Sequence, residues 1–424
     1  MHHGLPRLLT ATALVWLAMP AGRAGADLLP SRPITFGDGR VVVSGDVALS
    51  YGSPDTGYFN LFDYSHDAFN VLTMSIAADI RATDRIGFVG QVVDEVSLRE
   101  REPGPSDRHV VYPYALYVRV RPAVDQPFTI LAGRIPPVFG AFGRRGYGEV
   151  NPLIGLPLAY GYSTTMRPEP PPSQRELLLN RGGGWAVRYP RATAAAGPQG
   201  LPLIAARRWD TGVSAQWDGG PVDAGVAVTI GTLSSPRSDD DNGGKQISGR
   251  VGFTPTVSFS IGVSAASGEY LSEAGGSTDY GDVGTLPPPA SYETHRQQAL
   301  GLDAEYSLGH VVVRGEVVAS RWDVPFQNGD PTLELDALGT SLETRVALTP
   351  RWSMSLRGDR LGFSRVTTSG VVRTWDANVL RVEGAVGYLV RRNVRLKAGY
   401  QYNWRDGGRE RSIGLAGAQL LYWF

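Results

Sequence analysis

Apolar and polar residues alternate with a period of two along most of the chain, in stretches of about 9 to 14 residues, the mark of strands with one apolar face. From Asn70 to Ala82, Leu72, Met74, Ile76, Ala78 and Ile80 share one face, and Thr73, Ser75, Asp79 and Arg81 share the other. Residues 301–306, 311–319, 352–359 and 394–404 repeat the pattern. It predicts about sixteen strands, near residues 41–51, 69–82, 85–97, 109–121, 128–135, 205–217, 222–232, 246–254, 257–268, 295–307, 310–322, 334–348, 351–364, 374–390, 393–404 and 411–424.

A soluble sandwich would alternate as well, but three further features point to a membrane barrel. Connections are alternately tight (83–84, 218–220, 254–256, 308–310, 349–351, 391–393) and long (234–245, 268–294, 323–332). Short turns at one rim and longer loops at the other are the habit of outer-membrane barrels. Trp209, Trp217, Trp352, Tyr388, Tyr400, Tyr402, Trp404, Tyr422 and Trp423 fall near strand ends, where interfacial girdles are expected. The last strand ends on Phe424, with Tyr422, Leu420, Ala418 and Ala416 on the same face. The expected fold is all-β, a transmembrane antiparallel up-and-down β-barrel with a long insert after strand five.

The first residues read as a targeting signal. Arg7, the apolar run 8–18 and Ala24-Gly25-Ala26 have the form of a cleaved secretory signal, which predicts removal of residues 1–26 and a barrel over 27–424. A membrane helix needs about 20 apolar residues, more than this run offers.

A terminal strand ending in Phe resembles the assembly signal of bacterial outer-membrane proteins, which implies that Tyr422 and Phe424 are read by the barrel-assembly machinery. About sixteen strands on a chain of this length resembles the general and phosphate-selective porins. The resemblance is architectural, covers nearly the whole mature chain and carries few motifs. It implies a place in the bacterial outer membrane among its lipids and passive transport of small hydrophilic solutes, and it leaves a homotrimer open. In such porins the connection after strand five folds inward and narrows the channel. Here 136–204 is the longest connection, and its dense apolar residues (Val138, Phe139, Phe142, Leu153, Ile154, Leu156, Leu158, Tyr160, Tyr162) suit a packed insert. Two expectations follow, an inward constriction carrying Arg144, Arg145, Tyr147 and Glu149, or an external cap on the barrel mouth.

With lipid outside, charged alternates must point inward. Asp79, Arg81, Arg119, Arg250, Asp303, Glu305, Arg314, Glu316, Glu343, Arg345, Arg357, Asp359, Arg381, Glu383, Arg395 and Lys397 are the expected pore lining. Opposite charges two residues apart, as in Arg314/Glu316 and Arg357/Asp359, suggest either a pore wall with a transverse field or a salt-bridge lattice in a filled interior. An arginine placed at Leu356, on the lipid face, is expected to cost more than loss of Arg357. The insert has more Arg than Glu, which predicts a modest anion preference if it lines the pore.

Lys and Arg number 41, as do Asp and Glu, so no basic excess recommends a nucleic-acid partner. Cysteine is absent and needs no redox account. Asp239-Asp240-Asp241-Asn242-Gly243-Gly244 has oxygen ligands for a hard cation but lacks the distal acid of an EF-hand, so a solvated loop without metal is expected. No hydrolase, Walker or dinucleotide motif occurs, and no cofactor is expected. His66, His109, His295 and His310 leave a dispersed Ser-His-acid site conceivable, so a lipid hydrolase stands as the remotest function, behind a closed structural or adhesive barrel. The expected function is a porin rather than an enzyme.

Overall fold

The computed structural model describes residues 29–60, 67–99, 109–146, 148–184, 187, 200–205, 209–240, 242–271 and 294–424. The signal-like segment, His66, Tyr147, Asp241 and the side chain of Arg144 lie outside the described residues.

A short β1 (Ile34–Phe36) pairs with β2 (Val41–Gly52). The chain continues through β3 (Val71–Arg81), β4 (Ile86–Ser97), β5 (His109–Val120), β6 (Phe128–Ile135), β7 (Asp210–Gly219) and β8 (Val222–Thr229). Then come β9 (Gln246–Thr256), β10 (Phe259–Glu269), β11 (Arg296–Leu308), β12 (Val311–Val324), β13 (Leu333–Ala347) and β14 (Trp352–Phe363). A hairpin, β15 (Arg365–Thr368) and β16 (Val371–Thr374), precedes β17 (Val379–Arg391), β18 (Val394–Arg405) and β19 (Ser412–Trp423). Every neighbouring pair in the ring is antiparallel, β14 pairs with β17, and β19 returns to β2 from Gly417↔Gly52 to Trp423↔Asp46. The seventeen-stranded sheet, with β1 set aside, is thus a closed sixteen-stranded barrel. Closure satisfies every ladder, the condition for a sheet in lipid.

The strands fall where the alternation put them, and the faces divide in the expected phase. Leu356 is 57% exposed on the outside, and its neighbour Arg357 is 0% exposed inside. Ile76, Val317, Met354, Tyr400 and Trp404 also face outward. Two aromatics assigned to the lipid girdle turn inward instead. Trp209 stacks on Tyr114 and Tyr117 at 4.8 and 6.5 Å, and Arg395 lies over the Trp423 ring. Odd-numbered residues of β19 face the lumen, so Trp423 is out of phase with Tyr422. The β15–β16 hairpin was not expected; its turn residues Ser369 and Gly370 both have positive φ, which suits a tight hairpin.

Of the connection between β6 and β7, the described residues of 138–162 enter the barrel, and those of 165–184 pack on the long connections that hold Gln327, Asp330 and Asp376. The connection holds a 3-10 turn (Phe142–Arg145), α1 (Leu158–Gly161) and α2 (Gln174–Leu179). Ser173 caps α2 by accepting the Glu176 amide at 3.1 Å. Phe139, Phe142, Leu156, Leu158, Tyr160, Tyr162 and Leu177 form one apolar cluster with Val318, Trp322, Leu335, Leu361, Phe363 and Val379 of the inner wall. In the long-loop half of the barrel, these inward positions are apolar because they bury the insert.

Candidate functional site in the barrel lumen

The inner wall of β11–β19 grips the insert through its charged alternates. Glu316 accepts the Ala141 amide at 2.9 Å and the Tyr160 hydroxyl at 2.7 Å. Glu383 accepts the amides of Gly155 (2.8 Å) and Ile154 (3.2 Å). Arg357 donates to the Gly155 carbonyl and Arg381 to the Leu156 carbonyl, at 3.0 and 2.8 Å. Lys397 donates to the carbonyls of Gly148, Asn151 and Leu153, and Arg395 to that of Glu149. Full charges therefore satisfy insert backbone that helix or strand leaves unpaired, the role buried polar groups must have if they are to be tolerated. Gly140 allows the closest approach: its φ is +68°, and a Cβ there would meet Tyr160 Oη at 2.5 Å and Glu316 at 2.6 Å.

Ion pairs link these anchors laterally. Arg357 contacts Glu383 (2.8 Å), Asp359 (3.0 Å) and Glu343 (3.5 Å). Arg314 joins Glu305 and Glu343 at 2.6 and 3.2 Å, and Arg145 of the insert reaches Glu343 at 3.6 Å. Arg250 bridges Asp223 and Asp303 at 2.7 and 2.8 Å. Across the lumen, Arg119 pairs with Asp79 at 2.8 Å, and Arg81 is exposed at the tight-turn end of β3. Arg345 is half-buried on the inner face of β13, close enough for its charge to act on Arg395.

The expected lining thus separates into two sets, with Asp303 in the buried one and Asp79 in the partly exposed one. Glu316, Glu343, Arg357, Asp359, Arg381, Glu383 and Lys397 are buried, most of them beneath the insert. Arg81, Arg119, Arg250, Glu305, Arg314, Arg345 and Arg395 keep some exposure in the tight-turn half. Of the residues expected at a constriction, Arg145 and Glu149 sit on the insert within the lumen. Between the insert and the wall of β2–β5 lies a slot of about 20 Å³. Asp46, Thr73, Ser75, Gln91, Tyr112 and Tyr114 form its wall side, and Gly146 and Gly148 its insert side. That is little more than the room one water needs, about 10–15 Å³.

Pattern reading missed a second latch. Phe59 and Asn60 of the β2–β3 connection also reach inward: the Phe59 carbonyl accepts from Arg381 at 2.6 Å, and Asn60 Nδ2 donates to Gln401 at 2.7 Å. Asp55 holds the Asn60 amide, and burial with the nearby Asp67 charge raises its pKa. Asp376, before β17, accepts the amides of Thr165 (2.8 Å) and Gly182 (2.7 Å) from the insert, and burial raises its pKa too. A buried acid beside Trp375 was the available signal, but alternation does not extend into loops.

In the acidic loop Asp240 pairs with Lys245, and Asn242 Nδ2 donates to the Leu271 carbonyl of the next long connection at 2.6 Å. His109 pairs with Asp94 at 2.7 Å, at the long-connection ends of β4 and β5 on the face of exposed Val92 and Val111, away from the lumen.

A closed antiparallel ring, apolar on its outer face and charged along the tight-turn half of its inner face, defines this chain as a bacterial outer-membrane β-barrel. No protein-family model matches it, and no curated protein is similar to it in sequence. Solved structures share the fold. OmpF of Salmonella typhi, in complex with daunomycin, has a TM-score of 0.54 at 10% identity, over 92% of this chain and 100% of that one. OmpT of Vibrio cholerae, expressed in the outer membrane, has a TM-score of 0.51 at 10% identity with the same coverage. The barrel is thus of the porin architecture, and the likeness at this identity lies in the fold.

Proposed function

We propose that the chain is a passive outer-membrane porin for small hydrophilic solutes, non-enzymatic, with a modest preference for anions. The observation that carries the reading is the lumen itself: the insert is held against β11–β19, and the tight-turn half beside it keeps charged, water-accessible walls. Sixteen strands enclose more space than their own side chains fill, and on this reading the space beside the insert is a narrowed aqueous path. The anion preference rests on Arg345 and Arg395, neighbouring cations on the inner wall. Folding of OmpT into a trimer form supports a homotrimer as the assembly to test. Recording in planar bilayers tests the reading: stepwise conductance with a reversal potential on the anion side is expected, and a silent bilayer defeats it.

A closed structural barrel is the second reading. The tight packing favours it, since Arg357 and Leu203 are wholly buried and the slot by Asp46 has a volume of only about 20 Å³. The same recording decides between the two.

A further inference from the structure

The outer wall carries a groove that barrel closure does not require. It spans β8 to β14, has a volume of about 1160 Å³, and exceeds the pockets of about 300–1,000 Å³ that hold drug-sized ligands. Its floor is one lateral row of paired outward residues: Gly249, Ala265, Leu300, Ala319, Leu338 and Gly362. Small side chains alternate with two leucines, so the wall is hollowed where most of the lipid face bears Val, Leu or Tyr. The row lies in the half of each strand nearest the long connections, which in outer-membrane barrels faces the cell exterior.

Charge marks the edge of this hollow. Arg321, Arg360 and Arg365 line it, against a single lining carboxylate, Asp336. Arg321 is shared between Asp336 (2.7 Å) and Glu334 (2.9 Å). Arg360 and Arg365 are exposed and have no ion-pair partner among the described residues. Unpaired guanidinium groups on a lipid-facing wall call for an anion at the interface, and their planar donors suit phosphate oxygens.

We propose that this groove binds a phosphorylated lipid of the outer leaflet, its phosphate on Arg360 and Arg365 and an acyl chain over the Ala265–Ala319 floor. The groove supplies both halves of an amphiphile's demand, an apolar concave floor and uncompensated positive charge at its margin. A second copy of the chain fits less well, because it would have to bring a carboxylate opposite each arginine and a ridge to fill the hollow.

The test is native mass spectrometry of the whole barrel, stripped of lipid in an uncharged detergent and titrated with bisphosphorylated lipid A or its dephosphorylated form. One phosphorylated lipid per chain is expected to survive collisional activation, with at least tenfold weaker binding of the dephosphorylated form. Arg360→Gln with Arg365→Gln should lower binding by about the same factor, as should Ala265→Leu with Ala319→Leu. All four positions face outward, and heat-modifiable mobility on gels verifies that the variants remain folded. Equal retention of the two lipids, or unchanged binding in both double variants, overturns the proposal. So does a result in which the variants dissociate an oligomer while the lipid count per chain stays the same, for that assigns the groove to a second copy.

Discussion

Arg381 on β17 donates to the carbonyl oxygen of Leu156 at 2.8 Å, a contact that joins residues 225 positions apart across the interior of the barrel. The same guanidinium reaches the Phe59 carbonyl and Asn403 Oδ1, so one side chain ties two inward-folded connections to the wall.

Arg381→Met should release both connections and leave Asp359 and Glu383 less compensated. Each buried carbonyl left without its donor costs about 1–3 kcal/mol, and the temperature of heat modification should fall accordingly. Single-channel steps should become larger and noisier. Steps of unchanged size in a destabilised variant would mean that the insert does not narrow the path.

Leu356→Arg places a cation against lipid, at a cost of about 2–4 kcal/mol near the midplane. The alternation alone made Arg357→Leu the milder change. The structure removes that difference: Arg357 is 0% exposed, bonds the Gly155 carbonyl and compensates Glu343, Asp359 and Glu383. Its loss should cost about 3–5 kcal/mol, so denaturant midpoints of the two variants should lie close together.

Arg345→Glu should move the reversal potential in a salt gradient towards cations. Screening at 0.1 M salt extends about 10 Å and at 1 M about 3 Å, so the shift should shrink as salt is raised. A shift that ignores ionic strength points to rearrangement of the insert rather than to a local field.

Burial raises Asp376 above its ordinary value of 3.8, so the folded barrel holds that proton more tightly than the unfolded chain. Stability from this group is therefore fullest below 3.8, declines as pH rises through the raised value and then levels off. Asp376→Asn should flatten that part of the profile. It should also loosen the insert, because an amide cannot accept from Thr165 and Gly182 on both of its atoms; about 1–3 kcal/mol is the expected loss for an unmet buried group. Denaturant titrations across acidic pH check both effects.

Phe424 exchanges two backbone hydrogen bonds with Gly45, at 3.0 and 3.2 Å, at the seam that closes the barrel. Deleting it should lower the amount of heat-modifiable barrel recovered from the outer membrane. Recovery equal to the parent would remove the terminal residue from any role in assembly.

Strand positions and the two faces were legible in the alternation because lipid outside and a polar or packed inside impose opposite demands on successive residues. The apolar density of 138–162 likewise announced a buried insert. Which charges would meet water and which would hold that insert was not legible. Glu383 and Glu305 look alike in their strands, and only the arrival of Gly155 from 228 residues away separates them. Trp209 and Trp423 show a related limit, since nearness to a strand end says nothing about phase, and phase decides whether a ring meets lipid or the lumen.

The latching of residues 140–156 onto β12, β14, β17 and β18 also orders events in time. These partners are made last in synthesis and exported last, so the insert cannot find its seat until the final third of the chain has arrived. Until then its apolar side chains stay wet and its amides bond water, and a contact so remote in the chain repays its loop-closure entropy only at the end. The seat of the insert therefore exists only once β12, β14, β17 and β18 are in place, which makes the filling of the barrel depend on its final third.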